Sequence, residues 1–264
     1  MTMLDQAILP IPAFSDNYIW LIRHGDNAAV VDPGQAEPVI DTLNRLGLSL
    51  KAILLTHHHN DHVGGVEKLK EKYGCGVWGP ANETLPVCDT RLREADRVEL
   101  PDLGISLEVI DVPGHTAGHI AYAGQAGGRA SVLFSGDTLF AGGCGRLFEG
   151  TPTQMLDSLD KFKSLPLETG VFCGHEYTLA NLRWALAVEG DNAILQDTFL
   201  HAQQLRADGH PTLPSTLGRE RETNPFLRTR LDSVTASAAR WAGKPLASPV
   251  DVFAALREWK NNFK

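Results

Sequence analysis

Cysteine is scarce: the 264 residues hold four, at Cys75, Cys88, Cys144 and Cys173, and no two form a C-x-x-C pair. No disulfide framework is expected from that spacing, and the four read as reduced thiols of a cytosolic protein. Long apolar runs are missing; none approaches the roughly 18 residues that a membrane span requires. Long basic runs are missing as well, and the formal net charge is −8. General affinity for nucleic acid is therefore not expected. A small anionic substrate needs a local basic cluster, because the field of the whole protein opposes it. The opening Met1-Thr2-Met3-Leu4-Asp5 has no basic stretch followed by an apolar core, so no signal peptide is expected. A cytoplasmic monomer is the simplest expectation.

What is present is an ordinary globular balance, 43% hydrophobic and 21% charged, in a chain long enough for one large or two smaller domains. Two regimes are visible. Up to about residue 175, short β-type runs alternate with Gly/Pro turns and a few amphipathic helices. Ala28–Val31 and Ala52–Leu55 read as strands, 98–110 as a hairpin, and 130–134 as another strand. Helices are expected over 38–46, 63–73 and 153–164, from apolar residues at helical spacing. Beyond 175 the chain turns helical, over 176–189, 193–208 and 233–242, with a Pro/Gly/Thr-rich connection of little regular pattern over 210–223. The last helix has a clear start: Ser248 as N-cap, Pro249 in the first turn, and Asp251 near the positive helix end.

The densest chemistry lies in Thr56-His57-His58-His59-Asn60-Asp61-His62. Imidazole and carboxylate are the ligands that zinc and similar divalent ions prefer. His57 and His59 are two apart, so in an extended segment they leave on the same side, with His58 on the other. Asp61 and His62 follow at the start of a helix. One short loop can thus aim two ligand pairs at two neighbouring positions. Three further ligand-type residues stand in Gly- or Pro-punctuated loops after short apolar strands: His115 in Pro-Gly-His-Thr, Asp137 in Ser-Gly-Asp-Thr and His175 in Cys-Gly-His-Glu. Loops at strand ends are where rigid scaffolds place chemistry.

The H-x-H-x-D-H segment with these three later residues resembles the metallo-β-lactamase superfamily. Within it, Gly143-Cys144-Gly145-Arg146, Gly174-His175-Glu176-Tyr177-Thr178, Asn224-Pro225-Phe226-Leu227-Arg228 and Leu256-Arg257-Glu258-Trp259-Lys260 resemble glyoxalase II, the hydroxyacylglutathione hydrolase family. The resemblance covers essentially the whole chain. It implies an α/β fold, an αββα sandwich over residues 1–175, followed by a smaller helical substrate-binding domain over 176–264. It implies two divalent ions, zinc first, with iron or manganese as alternatives. One ion takes His57, His59 and His115; the other takes Asp61, His62 and His175; Asp137 bridges them. A water between the ions, deprotonated by their charge, is the implied nucleophile, with Asp61 as a weak proton relay.

The implied reaction is hydrolysis of S-D-lactoylglutathione and related glutathione thioesters to glutathione and a 2-hydroxy acid, D-lactate, in methylglyoxal detoxification. A thiolate leaves readily, since a free thiol has a pKa near ~8.5. Arg257 and Lys260 are three apart and share a helix face. Alone they read as a solvated basic edge; the resemblance makes them a clamp for the glycine carboxylate of glutathione. Arg146 and Tyr177 match further glutathione contacts. Phe148 stands where many relatives carry Tyr, which removes one hydroxyl. His119 reads as a packing or ligand-supporting residue. Asp32 has two readings, orienting a ligand imidazole or simply forming the Asp-Pro-Gly turn. Other enzymes of the superfamily, a lactonase, a β-lactamase or a one-iron persulfide dioxygenase, are the rival readings, and a non-catalytic metal-binding module is the rival of another class.

Overall fold

Period-two alternation sorts the strand residues into separate cores. In β2 (Asn17–His24), which follows β1 (Ile8–Ala13), the side chains of Tyr18, Trp20 and Ile22 face one way, and those of Ile19 and Leu21 the other. With β3 (Asn27–Val31), β4 (Ser49–Leu54), β5 (Gly76–Pro80) and β6 (Thr90–Leu92) these form a six-stranded sheet in sequence order. It is antiparallel through β3 and parallel thereafter. A second six-stranded sheet is built from β7 (Arg97–Leu100), β8 (Ile105–Asp111), β9 (Ile120–Ala126) and β10 (Arg129–Gly136). Past a small hairpin of β11 (Leu139–Phe140) and β12 (Gly143–Cys144), it is completed by β13 (Gly170–Cys173) and β14 (Ser215–Thr216).

Trp20, Tyr122, Phe134 and Phe172 fill the space between the sheets, with Trp20 and Phe172 edge to face at 4.9 Å. Strands this apolar on both faces need cover on both. α1 (Ala36–Leu46), with Val39 and Leu43, covers the first sheet. The computed structural model, which describes residues 7–263, has the αββα layering that the resemblance implies. The opening pentapeptide read for a leader lies outside the described residues.

The expected helix over 63–73 is two pieces, α2 (Asn60–Val63) and α3 (Val66–Tyr73). They part at Gly64-Gly65 because the Asp32-Pro33-Gly34 turn docks there. A Cβ on Gly65 would stand 2.7 Å from the Pro33 carbonyl oxygen, and the Gly65 N–H donates to that oxygen at 2.9 Å. The break leaves α2 as a single turn that presents Asp61 and His62.

α4 (Pro152–Lys161) covers the second sheet, capped by Thr151 and Gln154 in a reciprocal capping box. The C-terminal helices pack onto the same core: α5 (Thr178–Val188), α6 (Ala193–Ala207), α7 (Leu217–Thr223), α8 (Asp232–Ala242) and α9 (Pro249–Asn262). Ser248 caps α9 as expected, accepting the Asp251 N–H at 3.1 Å. Two elements of the 210–223 connection were not expected, the edge strand β14 and the helix α7, whose N-cap is Thr216. Both are short and lack an apolar period, so the pattern hides them. Among the described residues no helix is long and apolar enough to cross a membrane.

Candidate active site

The loops after β4, β8, β10 and β13 meet at one end of the sandwich, and each delivers part of a single cluster. From the first, His57 Nε2 lies 3.1 Å from His59 Nδ1, and His115 Nε2 from the second lies 3.0 Å from the same atom. Beside this trio stands another, Asp61, His62 and His175. Asp137 lies between them. Its Oδ2 is 3.3 Å from His115 Nε2 on one side and 3.3 Å from His175 Nε2 on the other, while its Oδ1 is 3.4 Å from His62 Nε2. All seven residues expected as ligands are thus brought together, around two adjacent positions.

These residues fit a pair of cations. Donor atoms bound to a tetrahedral ion at about 2.0–2.1 Å lie roughly 3.3–3.4 Å apart, close to the spacings here. His62 Nε2 and Asp137 Oδ1 are buried without any hydrogen-bond partner, a costly state that a cation would relieve. Gly174 keeps the space open, since a Cβ there would stand 2.7 Å from both Asp137 Oδ1 and the His62 ring.

Support behind the cluster fixes which ring nitrogen carries the proton. His115 Nδ1 donates to the Arg146 carbonyl at 2.9 Å, and His175 Nδ1 to Asp16 Oδ1 at 2.9 Å. His62 Nδ1 donates to Asp32 Oδ2 at 3.1 Å. The Thr56 hydroxyl donates to Asp32 Oδ2 at 2.7 Å, so its oxygen accepts from His57 Nδ1 at 3.0 Å. Four imidazoles therefore turn lone pairs inward. Asp32 takes both of its expected roles, holding His62 from a backbone at φ 53° in the turn. His119 stacks on His57 at 4.6 Å and accepts the Asp137 N–H at 3.1 Å, so it supports the cluster from behind. His58 turns away, to Glu83.

Burial, then the neighbouring imidazoles, hold His57 well below the ordinary histidine pKa. Burial opposes charge on His62 and Asp137 too, but their mutual attraction prevails: His62 is raised and Asp137 lowered. Metal ligands must be deprotonated, so a cation held here would compete with a proton on His62.

Outward from the cluster opens a cleft of ≈ 490 Å³ lined by Arg146, Phe148, Tyr177, Arg257 and Lys260 together with His59, Asp61, His115, Asp137 and His175. Arg257 is no solvated edge: it is 6% exposed. Its Nη1 donates to the Cys144 carbonyl at 2.8 Å, and its guanidinium lies 5.2 Å from the centre of the Phe226 ring. Lys260 donates to the Ala180 carbonyl at 3.1 Å. Burial, with the charges of Arg257 and Arg146, lowers its pKa to about 8. Tyr177 stacks on His175, and Phe148 stands exposed at the mouth with its ring 5.3 Å from that of His115.

Residues 13–175 match the model of the metallo-beta-lactamase superfamily, and residues 176–263 match that of the hydroxyacylglutathione hydrolase C-terminus. The hydroxyacylglutathione hydrolase of Alkalilimnicola ehrlichii is 56% identical over 96% of this chain and 98% of its own. The chain belongs to the hydroxyacylglutathione hydrolases. Among solved structures, ETHE1 from Myxococcus xanthus aligns over 95% of this chain and 87% of its own, at 25% identity and a TM-score of 0.61. TTHA1623 in a di-iron-bound form aligns over 83% and 100%, at 28% identity and 0.58.

In this hydroxyacylglutathione hydrolase, several supporting residues escaped the sequence reading: Asp16, Asn17, Thr56 and Glu83. Asn17 donates to Asp61 Oδ2 at 2.9 Å, as Asp16 accepts from His175. The available signal was a polar Ser-Asp-Asn run between two apolar strands. Cys173 is a fully buried thiol with its pKa pushed up by burial, as expected of a small packing residue. Asn224, from the Asn-Pro-Phe motif, reaches back to fix the hairpin under the cleft, donating to the Phe140 and Gly143 carbonyls at 3.2 and 2.9 Å. Glu220 adds a 2.7 Å bond from the Gly142 N–H.

Proposed function

We propose that this hydrolase cleaves S-D-lactoylglutathione and related 2-hydroxyacyl glutathione thioesters, using two divalent ions held by His57, His59 and His115 on one side, Asp61, His62 and His175 on the other, and Asp137 between. The observation that carries the reading is that one cleft holds both this cluster and the cations Arg146, Arg257 and Lys260 in a protein of net charge −8. When bound, such ions supply a nucleophile at neutral pH and positive charge for the developing oxyanion. Arg257 and Lys260 receive a glutathione carboxylate, and Arg146 and Tyr177 line the remainder of its path. Binding there orients the acyl carbon toward Asp137, so binding energy from the non-reacting part of the substrate is used for positioning. Asp61, held by Asn17, accepts a proton only weakly because it is committed as a ligand.

Zinc suits a cluster of imidazoles and carboxylates, and iron and manganese compete for the same donors. Four free cysteines suit the cytoplasm. The division of labour falls near residue 175, with the helices beyond it supplying Tyr177, Arg257 and Lys260.

The test is turnover of S-D-lactoylglutathione, a lactone and a β-lactam by purified protein of measured metal content. Thioester hydrolysis with two ions per chain is expected. Absence of thioester turnover in metal-replete protein would reject the reading, and preferential lactone opening would favour the lactonase alternative.

A further inference from the structure

Glu83 is a carboxylate 6% exposed, in the loop between β5 and β6, outside the cleft. Its Oε1 accepts the Thr116 hydroxyl at 2.6 Å and the Gly118 N–H at 2.9 Å. Its Oε2 accepts from His58 Nδ1. Thr116 and Gly118 follow His115 in its loop, while His58 stands between His57 and His59. One side chain therefore joins the two separate loops that supply the His57–His59–His115 group. Its own position is held by Arg91, which donates to the Glu83 carbonyl at 2.7 Å. The loops also meet without side chains, since a Cβ on Gly118 would stand 2.6 Å from the Asn82 carbonyl oxygen. Glu149 closes the ring by accepting the Ala117 N–H at 2.7 Å, with His58 Nε2 3.5 Å away.

With His58 and Glu149, Glu83 has the composition of a metal site, but its oxygens are already occupied, whereas Asp137 Oδ1 is orphaned. A buried carboxylate with every bond made fixes geometry rather than awaiting a ligand. The Asp61–His62–His175 group is anchored by Asn17, Asp32 and Asp16, of which Asp32 also reaches His57 through Thr56, and none of those bonds involves Glu83.

We propose that Glu83 is a positioning residue that sets the affinity of the His57–His59–His115 half of the centre and leaves the other half untouched. This rests on the two-ion reading given above. Its test is stepwise removal of zinc by a chelator from metal-replete wild type, Glu83→Ala, Glu83→Gln and Asp16→Asn, with kcat and KM measured alongside. In Glu83→Ala one ion should be weakened by about 10–100-fold, the usual loss when a supporting partner of a ligand is removed, and the other should keep its wild-type affinity. Glu83→Gln, which retains one acceptor oxygen, should fall between. Asp16→Asn should weaken the other ion, and a variant carrying both Glu83→Ala and Asp16→Asn should weaken both. kcat should fall with KM changed by less than about twofold, since Glu83 touches no substrate. Wild-type removal curves for both ions in Glu83→Ala and Glu83→Gln, or equal weakening of both ions, would overturn the proposal even if thermal stability drops. If Glu83→Ala does not fold, Glu83→Gln decides by the same criterion. Wild type that holds fewer than two ions would instead overturn the two-ion reading, and this proposal with it.

Discussion

Arg257 donates to the backbone carbonyl of Cys144 at 2.8 Å, across 113 residues of sequence. The last helix is thereby tied to the loop that carries Arg146, whose carbonyl anchors His115. Lys260, one turn further along, bonds only a carbonyl of α5. Two basic residues on one helix face are therefore not equivalent.

Lys260→Ala should raise KM for the glutathione thioester about tenfold or more, the scale of one lost charge-assisted bond, with kcat nearly unchanged. Arg257→Ala should raise KM and also lower kcat, because the Cys144–Arg146 segment loses its tie. Steady-state kinetics separates the two patterns. Equal effects from both would contradict the asymmetry.

Lys260 should also give a pH signature. Burial and the two neighbouring arginines bring its pKa to about 8. Below that pH it is charged and favours an anionic substrate; above it the charge is lost. kcat/KM should therefore decline as pH rises through about 8, and Lys260→Arg should remove this limb, since arginine stays protonated. A profile unchanged by Lys260→Arg would assign the limb to another group.

Asp137→Asn keeps the shape of the bridging residue and removes its charge. Metal content should drop below two per chain. Activity should fall by more than the roughly 10–100-fold expected from losing a partner behind a ligand. Metal analysis beside the rate assay checks both, and full retention of two ions would remove Asp137 from its bridging role.

Phe148 stands 63% exposed at the mouth, without a hydroxyl. Phe148→Tyr should lower KM about fivefold if the added hydroxyl reaches glutathione, the value of a net hydrogen bond near ~1 kcal/mol. An unchanged KM would place the glutathione chain elsewhere in the cleft.

Asn224 is fully buried and serves two carbonyls of the β11–β12 segment. Asn224→Ala should cost roughly 1–3 kcal/mol through unpaired buried groups and lower the melting temperature by several degrees. KM should rise with it, because Arg146 follows directly on that hairpin. Thermal unfolding and kinetics on one preparation test both effects.

Much of the site was legible in the chain because ligand chemistry is local. His57, His59, Asp61 and His62 occupy six positions, and each later ligand follows an apolar strand and a glycine. The Ser248-Pro249 start of α9 is also a local signal, and that helix forms where expected. The break at Gly64-Gly65 was not legible, because its cause is a turn thirty residues earlier. Glu83, Asp16 and Asn17 escaped for the same reason: a single polar residue carries no pattern until its partner is known.

By itself, then, the order of residues determined which groups can hold cations, which strands must be covered on both faces, and that a basic pair sits on the last helix. Only the folded chain decided how those groups are held: which imidazole nitrogen faces inward, that Asp137 reaches both trios, and that Arg257 is buried and braced while Arg146 is exposed. Ligand type is a property of one side chain, whereas orientation comes from hydrogen bonds that reach as far as 159 positions along the chain.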